Sequence, residues 1–430
     1  MKPRSSTTSP ETAVASITIV RQLTKMLLAA TPQGLARAGE SLRQGRLVAF
    51  PTETVYGLGA NAFDAKALLS IFEAKGRPLT DPLIVHIPTV DDALALVELD
   101  DKGTAMFKTL ATAFWPGPLT LIAPAIPALP REVSANTGFV GLRIPNHSIA
   151  QALLREAKVP VAAPSANRFG HVSPTTAQHV VNDLGTYSGG LEVIDNVGHP
   201  CCQVGIESTV AKLVPDQNQL LVFRRGGVSE AALHDVLNVQ QRLHVDIVYA
   251  QRVVADHSTQ NQVAPGQLLT HYAPDVPTFM VDTTPVAAPA DADVRTWVVV
   301  DFHGQLQALQ PVVAAYLDLS PPYARDSIGL IQIRALVIRG DITEAARNVF
   351  DALRWAEQVP NATVRSWRRM LSDNLSALAH FDPGRVGCGP RTRRRPPRQV
   401  PDLSIQQRTL MTTHVLSRLF RASSGNRTSI

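Results

Sequence analysis

Cysteine is scarce in this 430-residue chain: there are three, and two of them are the adjacent Cys201 and Cys202. That excludes a disulfide framework and a CxxC metal pair, and it fits a reducing compartment. No apolar run approaches the roughly 18 residues of a membrane span, so no membrane partner is expected. Met1 to Ile17 is rich in Ser and Thr but lacks the apolar stretch of a secretory signal. It carries at most a weak organelle-targeting character, which Glu11 opposes. The GxxxxGK(S/T) phosphate loop, HExxH, a DxDxDG loop and a GxSxG elbow are all missing. These absences argue against a P-loop nucleotidase, a zincin, an EF-hand and an α/β-hydrolase.

The chain also has little acid at one end. From Arg385 to Ile430, ten arginines face a single Asp402, giving +9, so the rest carries −4 of the total +5. The basic pI of about 9.2 therefore belongs to the tail. Basicity of the whole chain is no argument for nucleic-acid binding. What is present is ample apolar material, 45% of residues, enough for a sizeable core.

The pattern divides the chain into an N-terminal extension (1–22), an α/β domain (23–240), an interdomain linker (241–275), a smaller α/β domain (276–384) and a basic, disordered tail (385–430). In the first domain short apolar runs alternate with amphipathic helices. Leu47 to Phe50, Leu83 to Ile87, Leu119 to Ala123, Val140 to Ile144, Val159 to Ala163 and Ser208 to Leu213 read as strands. Asp64 caps a helix that ends at Lys75, with Gly76 beyond it and Pro78 as a stop. The linker carries the turn signals Ala264-Pro265-Gly266 and Ala273-Pro274. Strands are expected at Thr278 to Val281, Trp297 to Asp301 and Ala335 to Ile338, followed by a helix over about 342–356. Alternation of this kind makes both domains α/β.

Lys75-Gly76-Arg77 places two cations at a helix C-terminus, where the macrodipole favours them and the glycine lets them turn toward one anion. The competing reading is a solvated helix end. Pro51 to Gly59 puts small hydroxyls and two glycines at a strand end, either a ligand-facing loop or a tight turn. Pro164-Ser165-Ala166-Asn167 supplies a hydroxyl and an amide, for phosphate, for ribose or for a local turn. His86 and Arg143 each sit inside apolar strands. Arg143 needs an anionic partner there, either a ligand carboxylate or an internal salt bridge.

Taken together these segments resemble the YrdC-like domain of the L-threonylcarbamoyladenylate synthases. PTETVYGLG (51–59), KGRP with PLIVHI (75–87), WPGPLT (115–120), GLRIP (141–145), PSAN (164–167) and GIESTV (205–210) follow that family's order and spacing over about 30–235. One such motif is uninformative; six in order are specific. QLLTHYAP (267–274) resembles the linker of the long, two-domain form, and AARNVFDALRWAE (345–357) a helix of its second domain. HVLSRLFRASSG (414–425) resembles the family's closing helix, while the stretch between them does not follow the pattern.

The resemblance implies a YrdC-like twisted mixed sheet flanked by helices with a concave active site, plus a small Rossmann-like C-terminal domain. It implies a cytoplasmic nucleotidyltransferase that condenses L-threonine, bicarbonate and ATP into threonylcarbamoyl-AMP and pyrophosphate, with Mg²⁺ accompanying ATP. The product would pass to the tRNA threonylcarbamoyl-transfer machinery. By resemblance Thr54, His86, Arg143 and Ser208 contact L-threonine. Lys75, Arg77, Asp81, Ser165, Asn167, Ser173 and Arg224 contact ATP, Tyr272 closes over the nucleotide, and Lys75 and Arg77 carry catalysis. Three positions depart from the pattern: Asp81 replaces Asn, Phe139 a small hydroxyl residue and Arg225 a proline. An RNA-binding or ribosome-associated module, with weak RNA affinity, is the alternative. A hydrogenase-maturation carbamoyltransferase is discounted because its zinc-finger cysteine pairs are missing.

Overall fold

The computed structural model describes residues 26–198, 202–241, 243–250, 261–266, 275, 278–281, 296–301, 331–335, 342–358 and 362–367. The expected N-terminal extension, Tyr272 and the basic tail lie outside these residues. Among the described residues no helix is long and apolar enough to cross a membrane.

The N-terminal domain is built on a mixed sheet of eleven strands, β1 (Leu27–Ala29) to β11 (Asp246–Tyr249), in the order β1-β8-β2-β3-β7-β4-β6-β5-β9-β10-β11. Of the strands read from sequence, β2 (Leu47–Phe50), β4 (Ile84–His86), β5 (Leu119–Pro124), β6 (Phe139–Arg143) and β9 (Thr209–Val214) form where apolar runs placed them. β7 is reduced to Val161–Ala162, because Pro160 and Pro164 bracket it. β3 (Gly57–Asn61), β8 (Leu191–Asp195) and β10 (Gln219–Arg224) are additions. β3 leaves no trace in a hydrophobic pattern because GLGAN carries almost no side chain. It is buried because it pairs with β2 and β7, and a Cβ on Gly59 would lie 2.8 Å from the Val161 side chain.

One face of the sheet carries the main core, including Tyr56, Leu68, Ile71, Phe107 and Leu110. On the other face the helices Pro32–Arg43 and Ser148–Ala157 pack Leu35, Leu42, Leu153 and Leu154 against Val48 and Phe50. The stretch expected to open the linker instead supplies β11, which pairs in parallel with β10 at the sheet edge. Further on, Ala264 is fully buried against Ile84, Ile122 and Val210, and the Gln262 amide donates to the Thr80 carbonyl at 2.8 Å.

The C-terminal domain contributes a parallel sheet of four strands in the order β12 (Thr278–Val281), β15 (Ala362–Trp367), β13 (Thr296–Asp301), β14 (Ile331–Ala335). β14 ends at Ala335, where the expected strand begins; the rest of that expected span lies outside the described residues. The helix Ile342–Glu357 follows as anticipated and docks on the N-terminal domain through an ionic cluster. His171 Nδ1 meets Asp183 at 2.8 Å and its Nε2 meets Glu357 at 2.8 Å.

Burial disfavours the imidazolium, but the two carboxylates outweigh it and raise His171 to about 9. A raised histidine pKa gives stability that is full below about 6.5 and lost as pH rises through about 9. The loss of melting temperature between pH 8 and 10 should accordingly be smaller in His171→Gln than in the parent. Equal losses would show that His171 is not the group responsible.

Candidate active site

The sheet register brings the site together. β4 and β6 run parallel with His86 opposite Arg143, so the two polar residues set in apolar strands are neighbours on one face. Ser208 lies just before β9, and Arg224 ends β10 opposite Val210. Arg224 Nε donates to the Ser208 carbonyl at 3.0 Å and its Nη2 to the Ser208 hydroxyl at 3.1 Å. The loop after β2 is folded on its own hydroxyls: Thr52 Oγ1 accepts from the Thr54 and Val55 amides, both at 3.2 Å. Ser165 bridges to Gly57 across this loop. The result is an open cleft, about 510 Å³ of empty space when the solvent at its mouth is included, lined by Thr54, Arg77, His86, Arg143, Ser165, Ser208 and Arg224 and by Pro265 of the linker.

Lys75 and Arg77 do not sit at a solvated helix end: both side chains are buried. Gly76, at φ 62°, makes the left-handed turn between them. Lys75 Nζ donates to the carbonyls of Ser165 and Asn167, each at 2.5 Å, tying the helix end to the PSAN loop. Burial, helped by the nearby Arg77 charge, lowers Lys75 to about 7. Asn167 Nδ2 donates to the Arg168 and His171 carbonyls at 2.7 and 2.8 Å, while its buried Oδ1 has no partner among the described residues. A buried acceptor left open in this way suits a ligand hydroxyl or amine. Lys75, Asp81, Asn167 and Ser173 are not among the residues that line the cleft; they adjoin it, Lys75 through its bond to the lining residue Ser165.

The cleft arginines are each matched by a carboxylate. Arg77 pairs with Asp81 at 3.0 Å and also donates to the Pro82 carbonyl at 2.6 Å. The departure at Asp81 is therefore absorbed by Arg77. Burial pushes the Asp81 carboxyl up, against the pull of Arg77. Asp81→Asn leaves the buried Arg77 without its counterion, so it is expected to cost about 3–5 kcal/mol in stability while lowering the KM for ATP, since it frees Arg77 for the phosphates. A raised KM would show that Asp81 orients Arg77 productively.

Arg143 pairs with Glu53 at 2.7 Å and donates to Thr54 Oγ1 at 2.9 Å. Its buried charge has an internal counterion, so a ligand carboxylate would add to or exchange with that pairing. Arg224 pairs with Glu207, whose other oxygen accepts from Ser173 Oγ at 3.1 Å. Glu53 and Glu207 are site residues that the sequence reading does not single out. Each adjoins a residue that it does, Thr54 and Ser208, and a buried arginine in need of a partner is the signal available.

His86 is buried edge-on against Phe50 at 5.9 Å. Burial and then the Arg143 charge hold it down at about 3, so the imidazole is neutral and can accept or donate without adding charge. Phe139 at the start of β6 carries Lys212 over its ring at 3.3 Å, and Arg225 stacks on Tyr249 at 3.8 Å. Both departures thus have local packing roles outside the cleft.

Two family models match the chain: one described as telomere recombination (the Sua5/YciO/YrdC family) over residues 40–226, and the threonylcarbamoyl-AMP synthase C-terminal domain over 228–376. The chain is 36% identical over 314 residues to the threonylcarbamoyl-AMP synthase of Pyrococcus abyssi, covering 73% of this chain and 82% of that one. The chain belongs to the threonylcarbamoyl-AMP synthase family. The Bacillus subtilis threonylcarbamoyl-AMP synthase is 42% identical over 252 residues, 58% of this chain and 67% of its own. A crystal structure of P. abyssi Sua5 complexed with L-threonine aligns with TM-score 0.60 and 30% identity, over 80% of this chain and 92% of that one. Members of this synthase family are nucleotidyltransferases, and the two-domain arrangement with a mixed sheet is the family's long form.

Proposed function

We propose that this cleft condenses L-threonine, bicarbonate and ATP into threonylcarbamoyl-AMP and pyrophosphate. The observation that carries the reading is the convergence of two chemically distinct sets on one cavity. Thr54, His86, Arg143 and Ser208 lie together at one place, and Arg77, Ser165 and Arg224 line the same space. The first set offers a cation for an α-carboxylate and hydroxyl or imidazole partners for a side-chain hydroxyl. The second offers cations and a neutral donor for a polyphosphate.

In chemical terms, the threonine amine adds to bicarbonate with loss of water, giving a carbamate. A carbamate oxygen attacks the α-phosphorus, the bond from that phosphorus to the β-phosphate bridging oxygen breaks, and pyrophosphate leaves. No protein nucleophile is required; positioning and charge neutralisation suffice. Arg143 holds the amino-acid carboxylate, and Lys75 with Arg77 offsets charge on the phosphates. Among the described residues no group of three or more His, Cys, Asp or Glu is placed to hold a metal. Mg²⁺ enters as part of the substrate, MgATP. The product's consumer is the tRNA threonylcarbamoyl-transfer machinery, in the cytoplasm.

The alternative of an RNA-binding module is disfavoured by depth. Arg77 and Arg143 are 8% and 4% exposed, too recessed to track a nucleic-acid backbone. Pyrophosphate release from MgATP and bicarbonate should depend on L-threonine, with valine poorer by about 10⁴-fold because it leaves the hydroxyl partners unpaired. Release that ignores the amino acid would sink the proposal.

A further inference from the structure

The helix Ile342–Glu357 belongs to the C-terminal domain, yet its side chains, the buried Arg354 and the exposed Arg347 among them, grip two loops next to the catalytic cleft. Arg354 is 4% exposed. Its Nη1 and Nη2 donate to both oxygens of Asp183 at 3.1 and 3.0 Å, and its Nε donates to the Ser173 carbonyl at 3.3 Å. Nη2 also donates to the Val172 carbonyl. Three residues on, Glu357 accepts from His171 at 2.8 Å. The same Asp183 accepts from His171 and from the Arg168 amide. Arg168, His171, Val172 and Ser173 are thus all tied to a single guanidinium–carboxylate pair.

That loop reaches the cleft at both ends. The His171 carbonyl accepts from the Asn167 amide, which keeps its Oδ1 open, and the Ser173 hydroxyl donates to Glu207, the partner of Arg224. The second loop is held by the same helix. Arg347 Nε donates to the Gln203 carbonyl at 3.0 Å. Gly205, at φ +70°, approaches so closely that a Cβ there would lie 2.2 Å from the Arg347 Cα. A planar guanidinium fork satisfies two carbonyls and a bidentate carboxylate at once, which the point charge of a lysine cannot do.

We infer that Arg354 is a positioning residue for the nucleotide end of the cleft: from the second domain it fixes the 167–173 loop, and so places Asn167, Ser173 and, through Glu207, Arg224. The threonine end, built from Thr54, His86, Arg143 and Ser208, has no bond to this helix among those described; Ser208 meets it only through Arg224. The inference rests on the proposed function in one respect, that the ligand at this end is ATP.

The test uses the full chain with Arg354→Met, read in two ways. Hydrogen exchange without substrates should be faster at the amides of 168–173 and unchanged in β4 and β6. In kinetics and calorimetry the KM for MgATP should rise at least about fivefold, while L-threonine affinity and kcat stay within about twofold. Arg354→Lys should recover part of the ATP effect. Glu357→Gln, which keeps the guanidinium, should show a smaller shift of the same kind and serves if Arg354→Met does not fold. Unchanged exchange in the loop, or ATP and threonine constants that move together, would overturn the inference and leave Arg354 as domain glue. If the parent chain itself shows no threonine-dependent turnover, it is the proposed function that fails, and the exchange experiment still judges Arg354.

Discussion

Replacing Arg143 by methionine is expected to weaken L-threonine binding by about 100-fold, the equivalent of ~2.7 kcal/mol, with MgATP binding changed less than about threefold. The guanidinium stands beside Thr54 and His86 in the cleft. It sits 2.7 Å from Glu53, with both groups almost fully buried. The same substitution therefore also strands a buried carboxylate, at a cost of about 3–5 kcal/mol in stability. The two effects separate in the double variant Glu53→Gln with Arg143→Met. There the stranded charge is gone and much of the stability should return, while threonine affinity stays low. Chemical denaturation and calorimetry on the same samples make the comparison. Recovery of threonine binding in the double variant would show that Arg143 acts only through Glu53.

Lys75→Met is expected to reduce pyrophosphate release by about 10²–10³-fold, because it removes a cation next to the nucleotide end and also the bonds that hold the Ser165 and Asn167 carbonyls. Lys75 has a second, more distinctive signature. With its ammonium lowered to about 7 by burial and Arg77, it is largely neutral at pH 8 in the ligand-free cleft. A polyphosphate beside it restores the proton. MgATP binding at pH 8 should take up a proton, and affinity should fall as pH rises from 6 to 9. Calorimetry in buffers of different ionisation enthalpy measures the uptake. Lys75→Met should abolish it, whereas uptake retained in that variant would assign the proton to another group.

Much of this site is legible in the sequence, because its residues come in short segments at strand ends. The lysine, arginine, serine and asparagine of the nucleotide end each have a plausible local explanation. Only the order of six segments makes them one site. What stays hidden is whatever depends on non-local pairing. Glu53 and Glu207 are ordinary acidic residues until the sheet sets them against Arg143 and Arg224. β3 is invisible to a hydrophobic pattern because its burial comes from neighbours, not side chains. Val245 to Tyr249 is the one periodic run in a stretch that otherwise reads as linker, and pairing with β10 makes Asp246–Tyr249 a strand of the sheet. Arg354 is not singled out in the sequence, since a helix taken alone cannot show which other domain covers it.

The most direct measurement follows isotopically labelled bicarbonate. The purified full chain is mixed with MgATP, L-threonine and labelled bicarbonate, and the adenylate product is analysed by mass. One labelled carbon is expected in a threonylcarbamoyl-AMP product, formed in step with pyrophosphate and only when threonine is present. Pyrophosphate without that labelled adenylate, or an adenylate of unlabelled threonine alone, would contradict it.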